Sequence, residues 1–307
     1  MAPSEQGQTS AAVLVAEAVR KSFGEDEVVR GIDFKVARGE CVGLLGPNGA
    51  GKTTTMRMIM GLTKVTAGRL TLFGTAVSEM PRTHVMRVGL VPQEDNLDPE
   101  LSVNENLHVY GRYFGLSRAV LKERVPELLA FMQLSTRHDA RVNELSGGMK
   151  RRLIIARALI AEPEFIVLDE PTTGLDPQAR VLIWKQLLAL KAQQKTLLLT
   201  THYMDEAERL CDQIVILDEG RVLARGSPAA LIAQFVKGQV FEVAKPLPDG
   251  WDVSRWDHED IGDAVLVYTE STHEFHTLAP DDITYLHRPA NLEDVFLRLT
   301  GRALREP

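Results

Sequence analysis

The 307-residue sequence is poor in cysteine, in surplus positive charge and in long apolar runs. Cys41 and Cys211 are its only cysteines. Two are too few for a disulfide framework, and a thiol in an apolar strand such as Cys41–Leu45 behaves as an inert hydrophobe, so a reducing compartment is expected. Lysine and arginine number 35 against 42 acids, a net charge of −7. No basic surface is advertised, and a nucleic-acid partner is not expected. No run of 18 or more apolar residues occurs, so no segment is expected to span a bilayer directly, and work at a membrane would require docking on a protein that crosses it. The first residues, Met1–Ser10, are polar and lack the basic-then-apolar order of a secretory signal. What remains, 44% apolar and 25% charged, is the composition of a globular chain with length for two domains.

Against that background the run Gly46-Pro47-Asn48-Gly49-Ala50-Gly51-Lys52-Thr53 stands out. A glycine-rich loop between a strand and a helix cradles polyphosphate with its backbone N–H groups, while its lysine reaches the outer phosphates. The context fits. Cys41–Leu45 is a short apolar run, as in a buried strand. Beyond Thr53 and Thr54, Met56, Ile59 and Met60 recur at helical spacing until Gly61. The free N–H groups of a helix start stabilise phosphate, and the Thr53 hydroxyl is placed to hold Mg²⁺.

A second constellation follows. Phe165-Ile166-Val167-Leu168 is an apolar strand ending in Asp169-Glu170. An acid there suits a hold on Mg²⁺, and a base beside it suits an attacking water. Strand alternation would send the two side chains to opposite sides and give them different tasks. A third group is Leu145-Ser146-Gly147-Gly148-Met149, where a serine and two glycines open a helix and can present N–H groups to an anion. The following Lys150-Arg151-Arg152 reads as a solvated helix face, and Leu107, Tyr110, Tyr113 and Phe114 as mostly core.

Residues 13–236 read as one α/β domain. Strands are expected at Val13–Val19, Val28–Phe34, Cys41–Leu45, Gly68–Phe73, Val88–Pro92, Phe165–Leu168, Thr196–Thr200, Ile214–Asp218 and Arg221–Ala224, with a turn at Lys21–Gly24. Helices are expected at Asn104–Leu116, Arg118–Met132, Met149–Leu159 and Pro177–Leu190. Residues 1–12 form a polar tail. Residues 240–288 read as short strands, notably Ala264–Tyr268 and Ile283–His287, broken by turns that include Asp249-Gly250 and Asp281-Asp282. A last helix starts at Asn291 with Asp294 three places on, and Leu292, Val295, Phe296 and Leu299 form its apolar stripe.

Taken together, these motifs make residues 13–236 resemble the ATP-binding subunits of ABC transporters. The resemblance implies an α/β P-loop NTPase fold, with a mixed sheet core, a helical subdomain at about 94–160 and a small C-terminal α+β domain at 237–307. It implies that Gly46–Thr54 binds ATP and that Thr53, Gln93 and Asp169 serve Mg²⁺. Lys52, Glu170 as base and His202 as switch histidine would be catalytic. Ser146-Gly147-Gly148 would be the signature that covers a second copy's nucleotide, and Asp176, in Gly174-Leu175-Asp176, would cross the subunit interface. Phe23 matches the ring that stacks on adenine, with phenylalanine where tyrosine is usual. Met149 stands where glutamine is commoner.

Gln93–Glu100, Tyr110–Gly115, Leu145–Arg152 and Asn291–Phe296 resemble the export branch served by ABC-2 type permeases. Within it they are similar to the ATP-binding proteins of nodulation-factor (lipo-chitooligosaccharide) exporters, and are shared with multidrug and daunorubicin-type exporters. The resemblance implies a homodimer that binds ATP head to tail and works through a separate permease at the cytoplasmic face of the inner membrane. It implies export of a lipid-linked saccharide, a drug or another amphipathic cargo. A translation or DNA-repair ATPase of the same superfamily would carry two cassettes or a long coiled-coil insertion, whereas one phosphate loop and no long heptad run are present here. A nucleotide sensor without turnover would lack the base supplied by Glu170.

Overall fold

The structure, a computed structural model, describes residues 12–248, 250–280 and 283–301. Expectations for residues 1–11, Asp249 and Asp281-Asp282 lie outside the described residues. The chain divides into two compact units, one up to Val222 and one from Leu223 on.

The first unit holds two sheets. One is antiparallel, in the order β2 (Asp26–Ala37), β1 (Ala12–Phe23), β4 (Ala67–Leu72), β5 (Thr75–Ala76). The turn expected from Lys21 is shorter than the sequence suggests. β1 continues through Phe23, which pairs with Asp26, because cross-strand hydrogen bonding carries these polar residues and leaves only Gly24-Glu25 to turn the chain. The other sheet has the order β10 (Arg221–Gly226), β9 (Gln213–Asp218), β3 (Cys41–Leu45), β8 (Thr196–Thr201), β7 (Phe165–Asp169), β6 (Val88–Val91), and its edge strand β10 runs across the division of the chain at Val222. β9, β3, β8, β7 and β6 are parallel to one another. Every residue of β3, β7 and β8 is buried. Parallel strands covered on both faces read as continuous apolar runs, which is why Cys41–Leu45 and Phe165–Leu168 were legible. Both cysteines are free and buried.

Helices α1 (Lys52–Ile59), α2 (Arg82–Val85), α3 (Val103–Tyr113), α4 (Arg118–Phe131), α5 (Gly147–Leu159), α6 (Pro177–Ala192) and α7 (Met204–Leu210) complete this unit. Their starts are chemically marked. Ser102 and Glu105 form a capping box on α3, Ser117 caps α4, and Asp176 caps α6 ahead of Pro177. The second half of α5 presents no solvated face, for Leu153 through Leu159 are all buried. Nor is Tyr113 core: it is 82% exposed, whereas Leu107 is fully buried.

The second unit contains α8 (Pro228–Phe235) and an antiparallel sheet in the order β12 (Asp257–Asp260), β13 (Ala264–Thr269), β11 (Gln239–Ala244), β14 (Tyr285–Pro289). It closes with α9 (Thr272–Leu278) and α10 (Leu292–Thr300). α9 interrupts a stretch expected to be strand only. Ser271 caps it through the Glu274 N–H, and Phe275 anchors it by stacking on Phe241 with ring centroids 3.8 Å apart. The small core here is Phe241, Val243, Trp256, Val265, Val267 and Phe275. α10 starts where the sequence places it, with a capping box of Asn291 and Asp294. Among the described residues no helix is long and apolar enough to cross a membrane.

Candidate active site

Four neighbouring parallel strands, β3, β8, β7 and β6, bring their C-terminal ends to one edge. Their registers match: Leu45 pairs with Thr201, Asp169 with Thr200, and Val91 with Leu168. The phosphate loop follows β3, Glu170 follows β7, His202 follows β8, and Gln93 lies two residues beyond β6. Open parallel sheets bind ligands at this edge.

The loop itself is shaped by contact. A methyl group on Gly46 would stand 2.2 Å from the Leu217 carbonyl oxygen, so only glycine fits. Gly51, at φ +94°, turns the chain into α1 in a left-handed conformation. Lys52 is 4% exposed, and its Nζ donates to the carbonyls of Gly46 (2.7 Å) and Pro47 (3.0 Å). The lysine thus braces the loop from within. Thr53 is exposed on the first turn of α1, followed by half-buried Thr54, and Thr55 Oγ1 donates to the Gly51 carbonyl at 2.8 Å.

Glu170 stands at the centre of the polar contacts. Its carboxylate accepts from Gln93 Nε2 at 3.3 Å and from Thr173 Oγ1 at 3.0 Å. Oε1 lies 3.4 Å from His202 Nδ1 and 3.7 Å from Lys52 Nζ. His202 beside it, with Lys52 and Thr173 adding, holds the Glu170 carboxyl below the usual carboxylate range, although burial pushes the other way. Asp169 behaves oppositely: burial raises it, only partly offset by Thr200, whose Oγ1 donates to Asp169 Oδ1 at 2.6 Å. The same Thr200 oxygen accepts from the Glu170 N–H at 3.0 Å.

The two acids do diverge, but simple strand alternation is not the reason. β7 ends at Asp169, and Glu170 has φ +44°. A left-handed backbone at a residue with a side chain costs about 1–3 kcal/mol and persists only where neighbours hold it. Here it turns the carboxylate toward Lys52, Gln93 and His202.

Neither Phe23 nor Ser146–Gly148 takes part in the contacts around Glu170. Phe23 is 53% exposed at the end of β1, with Lys21 Nζ 4.6 Å from its ring centre. Ser146 caps α5 by accepting from the Met149 N–H. Gly147 and Gly148 face the start of α6, where methyl groups on them would meet Leu175 at 3.8 Å and Ala179 at 2.7 Å. The signature stretch and the Gly174–Asp176 loop are therefore neighbours.

Sequence reasoning missed Thr200 and Thr173, which carry no motif of their own, and it misread Arg151. That residue is 5% exposed, not part of a solvated face. Its spacing held a signal: Gly148, Arg151, Ile155 and Ala158 fall three and four apart on one helix face, and all are buried.

Residues 29–173 match the family model described as ABC transporter. Across nearly its full length the chain is also 51% identical, over 305 residues, to the Nod factor export ATP-binding protein I of Paraburkholderia xenovorans (strain LB400), covering 96% of this chain and 99% of the relative. The chain belongs to the ABC transporter family. It is an ATP-binding subunit of the exporter type and an ATPase. The protein of the same description from Rhizobium sp. (strain N33) is 49% identical, over 94% of this chain and 97% of its own. Residues 253–301 match the model described as the C-terminal domain of nodulation factor export protein NodI. Among solved structures, an ATP-binding subunit of an ABC transporter matches with a TM-score of 0.66 and 34% identity, over 73% of this chain and 93% of that one. A dimeric cassette in a post-hydrolysis state, bound to ADP and Pi, matches with a TM-score of 0.63 and 27% identity, over 70% and 98%. The P-loop fold of ABC ATPases is thus the fold of this chain.

Proposed function

We propose that two copies of this chain bind ATP head to tail and use its hydrolysis to export a lipo-chitooligosaccharide. Export would run through a separate ABC-2 type permease at the cytoplasmic face of the inner membrane. Identity of about half across the whole chain to Nod factor export ATP-binding proteins, tail included, carries the reading of the cargo. The ring of contacts around Glu170 carries the reading of the chemistry.

In this reading Gly46, Pro47, Asn48, Gly49, Ala50, Gly51, Lys52, Thr53 and Thr54 wrap the phosphates, and Phe23 offers its exposed face to adenine. Lys52 leaves the loop carbonyls for the outer phosphates. Glu170, ionised by its surroundings, accepts a proton from the attacking water or orients it, and His202 contacts the terminal phosphate. Ser146, Gly147 and Gly148 of the second copy close the site, with Asp176 at the interface. Thr53 hydroxyl, Gln93 carbonyl and Asp169 carboxylate are an all-oxygen set with one carboxylate, which suits Mg²⁺ better than a softer metal. Asp169 Oδ1 is committed to Thr200, leaving Oδ2 for the ion. When bound there, Mg²⁺ would neutralise charge on the transferring phosphoryl group. Residues 237–307 would serve as an accessory domain, for which the sequence shows no catalytic grouping.

The test is purification from solubilised membranes, followed by transport in vesicles. A polytopic permease should co-purify, and the rebuilt pair should move a labelled lipo-chitooligosaccharide only with hydrolysable ATP. Movement of a daunorubicin-type drug but not of the saccharide would replace the cargo. ATP hydrolysis with no membrane partner would favour the non-transport reading.

A further inference from the structure

Arg151 lies one turn inside α5, counted from Ser146, and is buried at the junction of three segments. Its Nε donates to the Pro171 carbonyl at 2.7 Å. Its Nη2 donates to the carbonyls of Asp169 (2.8 Å) and Glu170 (3.0 Å). Its Nη1 donates to the carbonyl of Pro92 and reaches that of Gln93 at 3.4 Å. One guanidinium thus gathers five backbone oxygens from the ends of β6 and β7. Farther along α5, Arg157 donates from Nη1 to the Asn96 carbonyl at 2.7 Å and from Nη2 to the Asn96 side chain, and packs over Tyr110. The loop after Gln93 is therefore fastened to the same helix twice.

From this geometry we propose that Arg151 is a positioning residue for hydrolysis: it holds Glu170 in its left-handed backbone and keeps Gln93 in reach of it, so that the helix carrying Ser146–Gly148 sets the geometry of the base. The idea rests on the reading of Glu170 as base given above. Two features support it. Glu170, at φ +44°, needs an external hold, and both peptide oxygens flanking its N–Cα–C unit are held by one Arg151 nitrogen. In addition, the guanidinium spreads five N–H donors over three nitrogens in a fixed planar fork, whereas an ammonium offers three from a single atom. Lysine would keep the charge and reach part of the set. The phosphate loop owes nothing to Arg151, for Lys52 is braced by Gly46 and Pro47.

The test compares Arg151→Lys, Glu170→Gln and the double variant of the full chain, with MgATP. Thermal unfolding confirms folding, and a fluorescent ATP analogue measures binding. Arg151→Lys should lower kcat at least tenfold with KM for ATP changed less than threefold, and should move the pH dependence of kcat. In the Glu170→Gln background, where the base is gone, the same change should lower slow single-turnover hydrolysis less than twofold. The proposal is overturned if Arg151→Lys keeps kcat within twofold of the parent. It is overturned equally if its loss is undiminished in the Glu170→Gln background, or if it raises KM alone. Failure of Arg151→Lys to fold would also overturn it, marking the guanidinium as a structural clasp. If instead Glu170→Gln hydrolyses at the parent's rate, the reading of Glu170 fails, a result distinct from any of these.

Discussion

Both units bury strands completely, β3, β7 and β8 in the first and β13 in the second, yet only the first set leads into the candidate site. The difference lies in strand direction. In the first unit five parallel strands send every C-terminal end to the same edge, so the residues after β3, β6, β7 and β8 converge. In the second, neighbouring strands run opposite ways, and their ends are shared between two edges. Two arginines, half-buried Arg288 and buried Arg151, differ likewise. Arg288 of the second unit faces carboxylates, donating to both oxygens of fully buried Asp294 at 2.7 and 2.8 Å with Glu242 3.7 Å away, and so fixes the start of α10. Arg151 spreads its donors over five carbonyls at the ends of two strands. The first ties down one helix start, whereas the second ties the ends of β6 and β7 to α5.

The comparison can be broken first through the aromatic core of the second unit. Phe241→Ala removes a fully buried ring stacked on Phe275 and on His287 and should cost about 3–5 kcal/mol. Unfolding followed by Trp251 and Trp256 fluorescence should show that loss, while kcat for ATP hydrolysis stays within twofold. A parallel fall in kcat would show that the second unit shares in the chemistry. In the first unit, Lys52→Ala removes the brace of the phosphate loop and should weaken ATP binding at least a hundredfold, about 2.7 kcal/mol, in a direct titration.

His202→Gln should lower kcat about tenfold or more, near 1.4 kcal/mol in barrier. It should also move the acid limb of the kcat profile upward. His202 is the largest influence holding Glu170 low, so without it the carboxylate is lost at a higher pH as the solution is acidified. An unmoved limb would assign that limb to another group.

The smallest effect is expected at Glu164. Hydrogen bonds from Arg87 first, then from Arg38, bring its carboxyl to about 2, and it is 36% exposed. A depressed folded value contributes stability that is complete above the ordinary carboxylate range and is lost as pH falls through about 2. With solvent screening, Glu164→Gln should cost about 1 kcal/mol or less at pH 7. That difference should shrink between pH 4.5 and 2 in urea titrations.

The parts of this molecule legible in the sequence are those where local pattern and chemistry coincide. Gly46–Thr53 follows a buried strand and opens a helix, so composition alone exposes it. Asn291 and Asp294 mark the start of α10 by capping chemistry. What escaped depends on contacts distant in sequence. Thr200 matters because register sets it beside Asp169. The left-handed turn at Glu170 is held by Thr200 and by Arg151, thirty residues after it and nineteen before it. Tyr113 follows the helical pattern of a core residue but has nothing packed over it. α9 hid in a strand-like stretch because its anchor, the stack of Phe275 on Phe241, spans two elements.

The proposal that two copies enclose the nucleotide meets its most direct test in the mass of the Glu170→Gln chain at saturating MgATP, measured by light scattering together with bound nucleotide. The account requires a doubled mass with one ATP per chain, and a return to single mass when Ser146 is replaced by Arg. A chain fully loaded with ATP and still single at high concentration would contradict it.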